Sequence, residues 1–202
     1  MTPLDALESQ SIYILREAHS RIDRLAMLWS LGKDSNVMVW LARKTAGLNS
    51  LIAEQELTGV IAGIRRDEEG TRAKERVFSP RGEGNVWDFR NQPPEFWDQF
   101  RTDLPPGCHL RVHPLLHWSE LDVWRYIKRE NIPIVDLYFA RYGMRYRSLG
   151  DKDITSPVAS NASTIDEIIA ELETTDVAER SGRAMDHEAE DAFERLRVGG
   201  YM

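Results

Sequence analysis

An apolar run, a short polar loop and a second apolar run follow one another directly near the N-terminus. Residues Ala26–Trp29 have the length and character of a buried strand, and Val37–Ala42 those of a buried helix. Between them lies Ser30–Ser35, with the sequence SLGKDS, whose glycine indicates a tight turn. A strand joined to a helix by such a turn opens a βαβ unit, so the pattern predicts an α/β fold.

The same loop is a candidate anion site. The first N–H groups of a helix have no partner within the helix and point beyond its end, towards the loop. Ser30 and Ser35 add hydroxyl donors and Lys33 adds a positive charge, while Asp34 can cap the helix or orient the lysine or a metal ion. The loop departs from the Walker A pattern. Its spacing alone is also typical of a surface turn, but the apolar segments on both sides favour the anion site.

The remaining pattern alternates less regularly than an α/β chain should. Leu4–Ile22 has the spacing of an amphipathic helix, and Val60–Ile64 and Leu110–Leu115 are predicted strands. Thr45–Glu54 also has helical character, so two helices follow each other with no strand between them. We therefore expect a segment to be missing at the Lys44–Thr45 junction.

The second half contains one long loop and two well-marked helix starts. Arg65–Pro106 is charged, aromatic and rich in Pro and Gly, which predicts a long functional loop. Ser119 with Asp122, and Thr164 with Glu167, have capping-box spacing ahead of apolar residues. We expect Trp118, Trp124 and Tyr126 to belong to the core, and His113 and His117 to have structural roles, since Pro114 breaks helical register between them.

Composition excludes several classes of function. The formal net charge of −7 argues against broad binding to nucleic acid, and no apolar run is long enough to span a membrane. The single cysteine, Cys108, excludes an internal disulfide or a cysteine-based zinc cluster and predicts a cytoplasmic location. Arginines nevertheless concentrate around Arg65 and Arg66 and again around Arg147, which is typical either of a small anionic ligand or of ion pairs with neighbouring acids.

Several blocks of the sequence resemble a known family. SLGKDS resembles the SxGKDS pyrophosphate loop of the N-type ATP pyrophosphatase superfamily, which includes the PAPS reductase-like proteins. Five further blocks are similar to the small catalytic subunit of the heteromeric bacterial ATP sulfurylase: Ile64–Glu69, Arg111–Trp118, Glu130–Val135, Tyr146–Gly150 and Glu179–Arg183.

The resemblance implies an α/β fold of the adenine nucleotide alpha hydrolase type. This is a Rossmann-like parallel sheet flanked by helices, here with a long irregular insertion and an extended C-terminal tail. The expected organisation is a nucleotide-binding domain of the ATP pyrophosphatase type over residues 1–175 and a charged tail over 176–202.

The resemblance also implies a reaction, namely that of a sulfate adenylyltransferase. ATP and sulfate would give adenosine 5′-phosphosulfate and pyrophosphate, the first step of sulfate assimilation and cysteine biosynthesis, with no protein nucleophile. Uphill in itself, this step would be driven by GTP hydrolysis on a larger partner subunit. ATP would be a substrate accompanied by Mg²⁺.

Roles for individual residues follow from this resemblance. The pyrophosphate end of ATP is assigned to the loop residues Ser30, Gly32, Lys33, Asp34 and Ser35. Arg65 and Arg66 are assigned as catalytic together with Lys33 and are expected to contact sulfate or the α-phosphate. Arg147 is assigned as a further anion ligand. Asp67 and Glu68 are expected to orient these arginines or to approach Mg²⁺.

Two departures from the family keep other functions open. The family carries a further strand and helix after its first helix, which are absent at Lys44–Thr45, and Asp151–Asp153 replaces a common Cys-Trp-Pro. A non-catalytic nucleotide-binding or regulatory subunit is therefore the main alternative. A sulfonucleotide reductase needs a redox-active cysteine near the C-terminus, but no cysteine follows Cys108. A tRNA-thiolating enzyme would need cysteine pairs and a basic surface.

Overall fold

A computed structural model describes residues 1–44, 57–68, 70–82, 87–88, 90, 92–104, 107–150, 155–175, 177 and 179. The helix expected over Thr45–Glu54, the Lys44–Thr45 junction, Asp151–Asp153 and nearly all of the tail over 176–202 lie outside these residues. The chain divides into two compact units. Unit 1 comprises Met1–Arg65 and Lys74–Trp118, and unit 2 comprises Arg66–Ala73 and Ser119–Met202.

Unit 1 contains a four-stranded sheet of mostly parallel strands. Its strands are β1 (Leu25–Met27), β2 (Gly59–Ile61), β3 (Phe78–Arg81) and β4 (His109–Val112), in the spatial order β1-β2-β4-β3. Strands β1, β2 and β4 run parallel, with Met27 beside Ile61 and Ile61 beside Val112. Their carboxyl ends therefore lie at one edge of the sheet. Strand β3 pairs antiparallel with β4. The predicted α/β class with a parallel sheet is confirmed.

Two helices of unit 1 contribute apolar side chains to its core. Helix α1 (Pro3–Arg21) begins with a capping box between Thr2 and Asp5, and α2 (Lys33–Lys44) follows the polar loop. The two helices pack on each other. Their buried apolar residues include Ile14, Leu15, Ala18, Val37, Met38 and Leu41.

The structure corrects the predicted end of the first strand. Strand β1 ends at Met27, and the side chains of Leu28 and Trp29 are 59% and 60% exposed, although both were expected in a buried strand. Helix α2 in turn begins at Lys33, four residues before the predicted apolar run. Leu28 and Trp29 are therefore apolar residues of the exposed connection between β1 and α2 and not of the buried strand.

The prediction of an unbroken loop over Arg65–Pro106 was wrong. Phe78–Arg81 forms β3, and Arg66–Glu68 and Gly70–Lys74 form two short 3-10 turns. Pro80 is a poor signal for a strand, because proline lacks the N–H that a central strand needs. It is tolerated here because β3 lies at the edge of the sheet.

Unit 2 is built on two capped helices. Helix α3 (Glu120–Glu130) and helix α4 (Ile165–Leu172) begin with the two predicted capping boxes, and they pack on each other. Asn131 adopts a left-handed conformation, with φ of 52°, at the end of α3. A short antiparallel pair joins β5 (Met144–Arg145) to β6 (Val158–Ala159).

The aromatic residues expected in the core are buried. Trp118 of unit 1 is buried, as are Trp124 and Tyr126 of α3, and the ring of Tyr138 packs edge-on against Trp124. None of the helices in the described part of the chain combines the length and the apolar character needed to span a bilayer.

Candidate phosphate-binding site

The Ser30–Ser35 loop lies at the carboxyl edge of the parallel strands of unit 1. It follows β1 directly, and the N–H of Asn36 makes the first backbone bond of the helix, to the carbonyl of Gly32 at 3.0 Å. The Ser35 hydroxyl donates to the same carbonyl at 2.9 Å, and both the N–H and the hydroxyl of Ser30 lie 3.4 Å from the Ser35 oxygen. The loop is thereby held as a closed turn whose helix directs its first N–H groups outward, as an anion site requires.

Two backbone features stand out in the loop and after β2. Leu31 has a left-handed φ of 61°, which costs a non-glycine residue about 1–2 kcal/mol. A Cβ added to Gly63 would lie 3.3 Å from the Cβ of Asp34 and 3.1 Å from the Cε of Met38. The chain after β2 therefore touches the first turn of α2, and only a residue without a side chain fits this approach unchanged.

Charged side chains meet at this contact. The Asp34 carboxylate accepts a hydrogen bond from Arg65 Nη1, and its other oxygen lies 3.5 Å from Lys33 Nζ. The side chains of Lys33 and Arg65 are fully buried, whereas that of Asp34 is 18% exposed. One carboxylate thus contacts two buried cations beside the open end of a helix.

The predicted loop residues and Arg65 therefore belong to one local arrangement in unit 1. Lys33, Asp34 and Ser35 occupy the first turn of α2, and Arg65 follows β2 on the same edge of the sheet. Ligand sites of open α/β sheets form at this edge, outside the carboxyl ends of the strands.

The remaining predicted residues belong to unit 2 and have other contacts there. Asp67 accepts a hydrogen bond from the N–H of Glu120 at 2.5 Å, so its carboxylate caps the start of α3. Glu68 is buried and pairs with Arg72 at 2.7 Å. Arg66 lies beside them in the same 3-10 turn and is half-buried.

Arg147 forms a buried ion pair in unit 2. Its Nη2 donates to Glu120 Oε2 at 2.6 Å, and its Nη1 donates to the carbonyl of Val177 at 2.9 Å. The side chains of Arg147 and Glu120 are 9% and 7% exposed. These contacts tie the chain around Val177 to the start of α3, and sulfate binding by Arg147 stays a prediction.

Sequence reasoning did not find two residues of these arrangements. Gly63 lies within a predicted strand, and no signal along the chain marks its approach to the loop. Glu120, the partner of Arg147, was visible only as an acidic residue in the first turn of a capped helix. The structural role expected of His113 fits its burial and its hydrogen bond to the carbonyl of Arg76 at 2.8 Å. His117 is exposed and lies 3.3 Å from Gln10 Oε1, so its structural role stays a prediction.

The residues present fit a magnesium ion that arrives with a nucleotide. No group of three or more metal-ligating side chains occurs among the described residues. Mg²⁺ in nucleotide sites usually keeps several waters and takes only one or two carboxylates together with substrate phosphates. Asp34, partly exposed beside the loop, is a carboxylate of the kind that such a site needs.

Comparison with known proteins decides the family. The chain is 33% identical to sulfate adenylyltransferase subunit 2 of Trichlorobacter lovleyi, in an alignment that covers 100% of this chain and 98% of that protein. It is 32% identical to the protein of the same name from Caulobacter vibrioides, covering 100% and 95%. This chain belongs to the sulfate adenylyltransferase subunit 2 family.

The phosphoadenosine phosphosulfate reductase domain family also matches, over residues 42–157. That match begins within α2, after the Ser30–Ser35 loop. The similarity of the loop itself to the sulfate adenylyltransferase family therefore rests on the full-length relatives.

The same relatives are longer than this chain. The alignment with the Trichlorobacter lovleyi protein spans 296 residues, whereas this chain has 202. The relatives consequently carry segments that have no counterpart here, in agreement with the missing segment expected from the sequence. Its expected position at Lys44–Thr45 borders residues outside the described part.

A solved structure supports the fold. The FMN adenylyltransferase of Candida glabrata, in complex with FAD and inorganic pyrophosphate, matches with a TM-score of 0.54 and 14% identity. The match covers 89% of this chain and 87% of that one. At this identity the likeness shows the fold alone, and it agrees with the predicted α/β architecture.

Proposed function

We propose that this chain is the catalytic subunit of a sulfate adenylyltransferase, converting ATP and sulfate to adenosine 5′-phosphosulfate and pyrophosphate. The observation that carries the proposal is the full-length similarity to relatives of that name, joined to a closed anion loop at the carboxyl edge of the sheet. The product would enter sulfate assimilation and cysteine biosynthesis, in the cytoplasm.

The loop would hold the pyrophosphate end of ATP. The hydroxyls of Ser30 and Ser35, the backbone of Gly32 and the N–H groups at the start of α2 converge on one closed turn. Lys33 adds charge from within the first helical turn. A site of this kind grips the β- and γ-phosphates through many donors that are fixed before the ligand arrives.

Sulfate would then react at the exposed α-phosphorus. One sulfate oxygen forms a bond to the α-phosphorus, and the bond from that phosphorus to the oxygen bridging to the β-phosphate breaks, releasing pyrophosphate. The protein contributes positioning and charge neutralisation rather than a nucleophile. Arg65, which contacts Asp34 in the loop arrangement, is the best-supported cation for this step. Arg66 and Arg147 remain sulfate candidates by resemblance.

A metal ion and a second subunit complete the proposal. Mg²⁺ supplies charge neutralisation on the phosphates when it is bound, and Asp34 is the carboxylate of the loop arrangement that can orient it, with Asp67 and Glu68 as further candidates. The relatives' name, subunit 2, supports a heteromeric complex. We infer that the partner is a larger GTPase subunit whose hydrolysis of GTP drives the reaction.

The test is pyrophosphate release by the complex of this chain with its larger subunit. With ATP, GTP, Mg²⁺ and sulfate present, we expect release that depends on sulfate. Lys33→Met keeps most of the buried side-chain volume, removes the charge and should lower the rate at least about 100-fold. Lys44→Met, at the far end of the same helix and paired with Glu8, should stay within about twofold of the wild type.

Parallel thermal unfolding separates loss of activity from loss of folding. Equal activity in Lys33→Met and Lys44→Met would exclude the loop as the phosphate site. If a complex that binds ATP and GTP releases no pyrophosphate in response to sulfate, the proposed adenylyltransferase activity would be refuted.

A non-catalytic nucleotide-binding subunit is the second candidate. The observation that favours it is the length difference from the relatives, because a family segment beside the nucleoside is missing. This candidate predicts that the chain binds ATP or pyrophosphate at the loop, with the binding lost in Lys33→Met, yet releases no pyrophosphate in the complete complex.

A further inference from the structure

A second concentration of positive charge lies on the antiparallel edge of the sheet in unit 1. Arg81 of β3 is paired with His109 of β4, and Ser79 is paired with Arg111. Directly opposite residues, and residues two apart on one strand, project from the same face of a sheet. These four polar side chains therefore share one face. The opposite face of the same two strands is apolar: Phe78, Pro80, Leu110 and Val112.

This cationic face is separate from the Ser30–Ser35 loop. The loop follows the carboxyl end of β1, which lies level with Val112 at the carboxyl end of β4. His109 begins β4, so the Arg81–His109 pair lies about 10 Å away along the sheet, at the amino end of β4 and the carboxyl end of the antiparallel β3. Strand β2 also stands between β1 and β4.

The two arginines act on the ionisation of His109. Burial lowers the pKa of the His109 imidazole, and the positive charges of Arg111 and Arg81 lower it further. The pKa of Arg81 is also lowered, by burial first and by Arg111, while Glu75 opposes the change. Protonation of His109 would place a second positive charge directly opposite Arg81, and like charges at such positions destabilise a sheet. A bound anion would remove this electrostatic cost and so favour the charged imidazole.

Of Arg81, His109 and Arg111, only Arg81 forms an ion pair with a carboxylate of the described residues. Its Nη2 donates to Glu75 Oε1 at 2.8 Å. No described acidic side chain forms an ion pair with His109 or Arg111, and both are half-buried.

The buried residues of this face are already held in place by contacts within the protein. Arg81 is 3% exposed, donates to the Ser79 hydroxyl at 2.6 Å, and its guanidinium lies 4.9 Å from the centre of the Trp87 ring. Glu75 is buried as well. A ligand that meets groups already held in place loses less free energy to ordering them.

We propose that His109 and Arg111, with Arg81 behind them, form a binding site for a small tetrahedral oxyanion, a sulfate or a phosphate group. His109 and Arg111 are two residues apart on one strand, so their side chains start about 7 Å apart, and Arg81 starts about 5 Å from His109 across the strand pair. This spacing suits one tetrahedral ion rather than an extended polyanion. Arg111 offers a planar fork of donors that matches an oxyanion, and protonated His109 offers a second donor. The site does not rest on the proposed function, because it uses only the charge arrangement of β3 and β4.

Binding would be linked to the protonation of His109. An anion favours the charged imidazole, so it raises the pKa of His109, and affinity for the anion increases as the pH falls through that range. Arg111, Arg81 and, through Arg81, Glu75 are the charged groups that act on this imidazole.

The test follows the His109 imidazole by NMR in the full chain, labelled at histidine, during pH titrations. Sodium sulfate is compared with sodium chloride at equal ionic strength. We expect sulfate to raise the His109 midpoint by about one pH unit. His19, exposed in the last turn of α1, is the reference for general salt effects. Equal responses of His109 and His19 would exclude sulfate as the ligand of this site.

Variants identify the groups responsible. Arg111→Gln should abolish the sulfate-dependent change at His109, and Arg111→Lys, which keeps the charge but loses the fork, should retain part of it. The matched control is Arg101→Gln, an exposed arginine paired with Asp103 in the same unit, which should respond as the wild type does. A full sulfate response in Arg111→Gln would contradict the site.

The source of the oxyanion is resolved by two further titrations. Inorganic phosphate and inorganic pyrophosphate replace sulfate at the same ionic strength. A larger response of His109 to phosphate or pyrophosphate assigns the site to a phosphate group, and a larger response to sulfate assigns it to sulfate. No anion-specific response to any of the three would refute the site.

Discussion

The phosphate loop and the Arg147–Glu120 pair both bury charged groups, but they arrange them differently. In the loop, the partly exposed Asp34 contacts two fully buried cations, Lys33 and Arg65. In unit 2, Glu120 contacts one arginine, and that arginine also donates to the carbonyl of Val177. The first arrangement lies beside an open helix end, and the second lies within a capped helix start.

This difference separates a ligand site from a structural pair. A carboxylate shared between two cations at a helix N-terminus holds donors that an incoming phosphate can use, since that end already favours anions. A buried pair of one carboxylate and one arginine, in which the arginine also donates to a backbone carbonyl, mainly resists unfolding, because removing either partner leaves a buried charge behind. The contrast makes opposite predictions for anion binding in the two units.

The largest effect is expected at Asp34. Asp34→Asn removes the carboxylate that Lys33 and Arg65 both contact, and the free energy of unfolding should fall by about 3–5 kcal/mol. Pyrophosphate should restore more stability to this variant than it adds to the wild type, because the anion replaces the lost negative charge. Urea unfolding with and without pyrophosphate measures both effects.

Asp103→Asn is the control for this change. Asp103 is 80% exposed and pairs with Arg101, so its replacement should alter stability by less than about 1 kcal/mol. An Asp34→Asn chain that is destabilised but gains nothing extra from pyrophosphate would show that Asp34 is structural, like Glu120.

The next effect is expected at Arg147. Arg147→Met leaves Glu120 buried without its cation and should cost about 3 kcal/mol, of which Glu120→Gln in the same chain should recover a large part. The stabilisation by pyrophosphate or sulfate should stay that of the wild type. Denaturant unfolding of the two single variants and the double variant measures the coupling.

A different result for Arg147→Met would assign this arginine to a ligand site. If Arg147→Met kept its stability but lost sulfate dependence in the assay of the complex, Arg147 would be an anion ligand, as the resemblance implies. The buried pair with Glu120 would then describe the ligand-free state only.

The sequence predicted the helices and the polar loop, but it did not predict which charged side chains contact each other. Capping boxes at Ser119 and Thr164 and the apolar runs around Ser30–Ser35 are local signals, so the corresponding elements follow from residues close together in the chain. The contact between Asp34 and Arg65 joins residues 31 positions apart. No local pattern encodes such a pairing, and the register of the parallel strands decides it.

Edge effects account for the element that was missed. Phe78–Arg81 contains a proline and two polar residues, which are poor signals for a strand. Only the position at the edge of the sheet and the pairing with His109–Val112 make it one. The same pairing creates the cationic face, in which Arg81 lies too far from His109 and Arg111 in the sequence to be recognised as part of one group.

The smallest effect is expected at Gly63, where the chain after β2 touches the first turn of α2. In Gly63→Ala, the new methyl group would lie 3.3 Å from Asp34 Cβ and 3.1 Å from Met38 Cε. The methionine tip can move away, but Asp34 is fixed in the first turn of α2 and must shift by a few tenths of an ångström. We expect a stability loss of about 1 kcal/mol and a several-fold weaker affinity for pyrophosphate, measured by calorimetry.

Gly59 supplies the matched control because it lies at the other end of β2. A Cβ there would lie 2.7 Å from Ile22 Cγ2 and 3.0 Å from Leu25 Cδ1, in the apolar core. Gly59→Ala should therefore cost more stability than Gly63→Ala and leave the affinity for pyrophosphate unchanged. If both variants lost affinity in proportion to stability, the approach at Gly63 would serve packing alone. If affinity falls only in Gly63→Ala, the chain after β2 positions the phosphate loop.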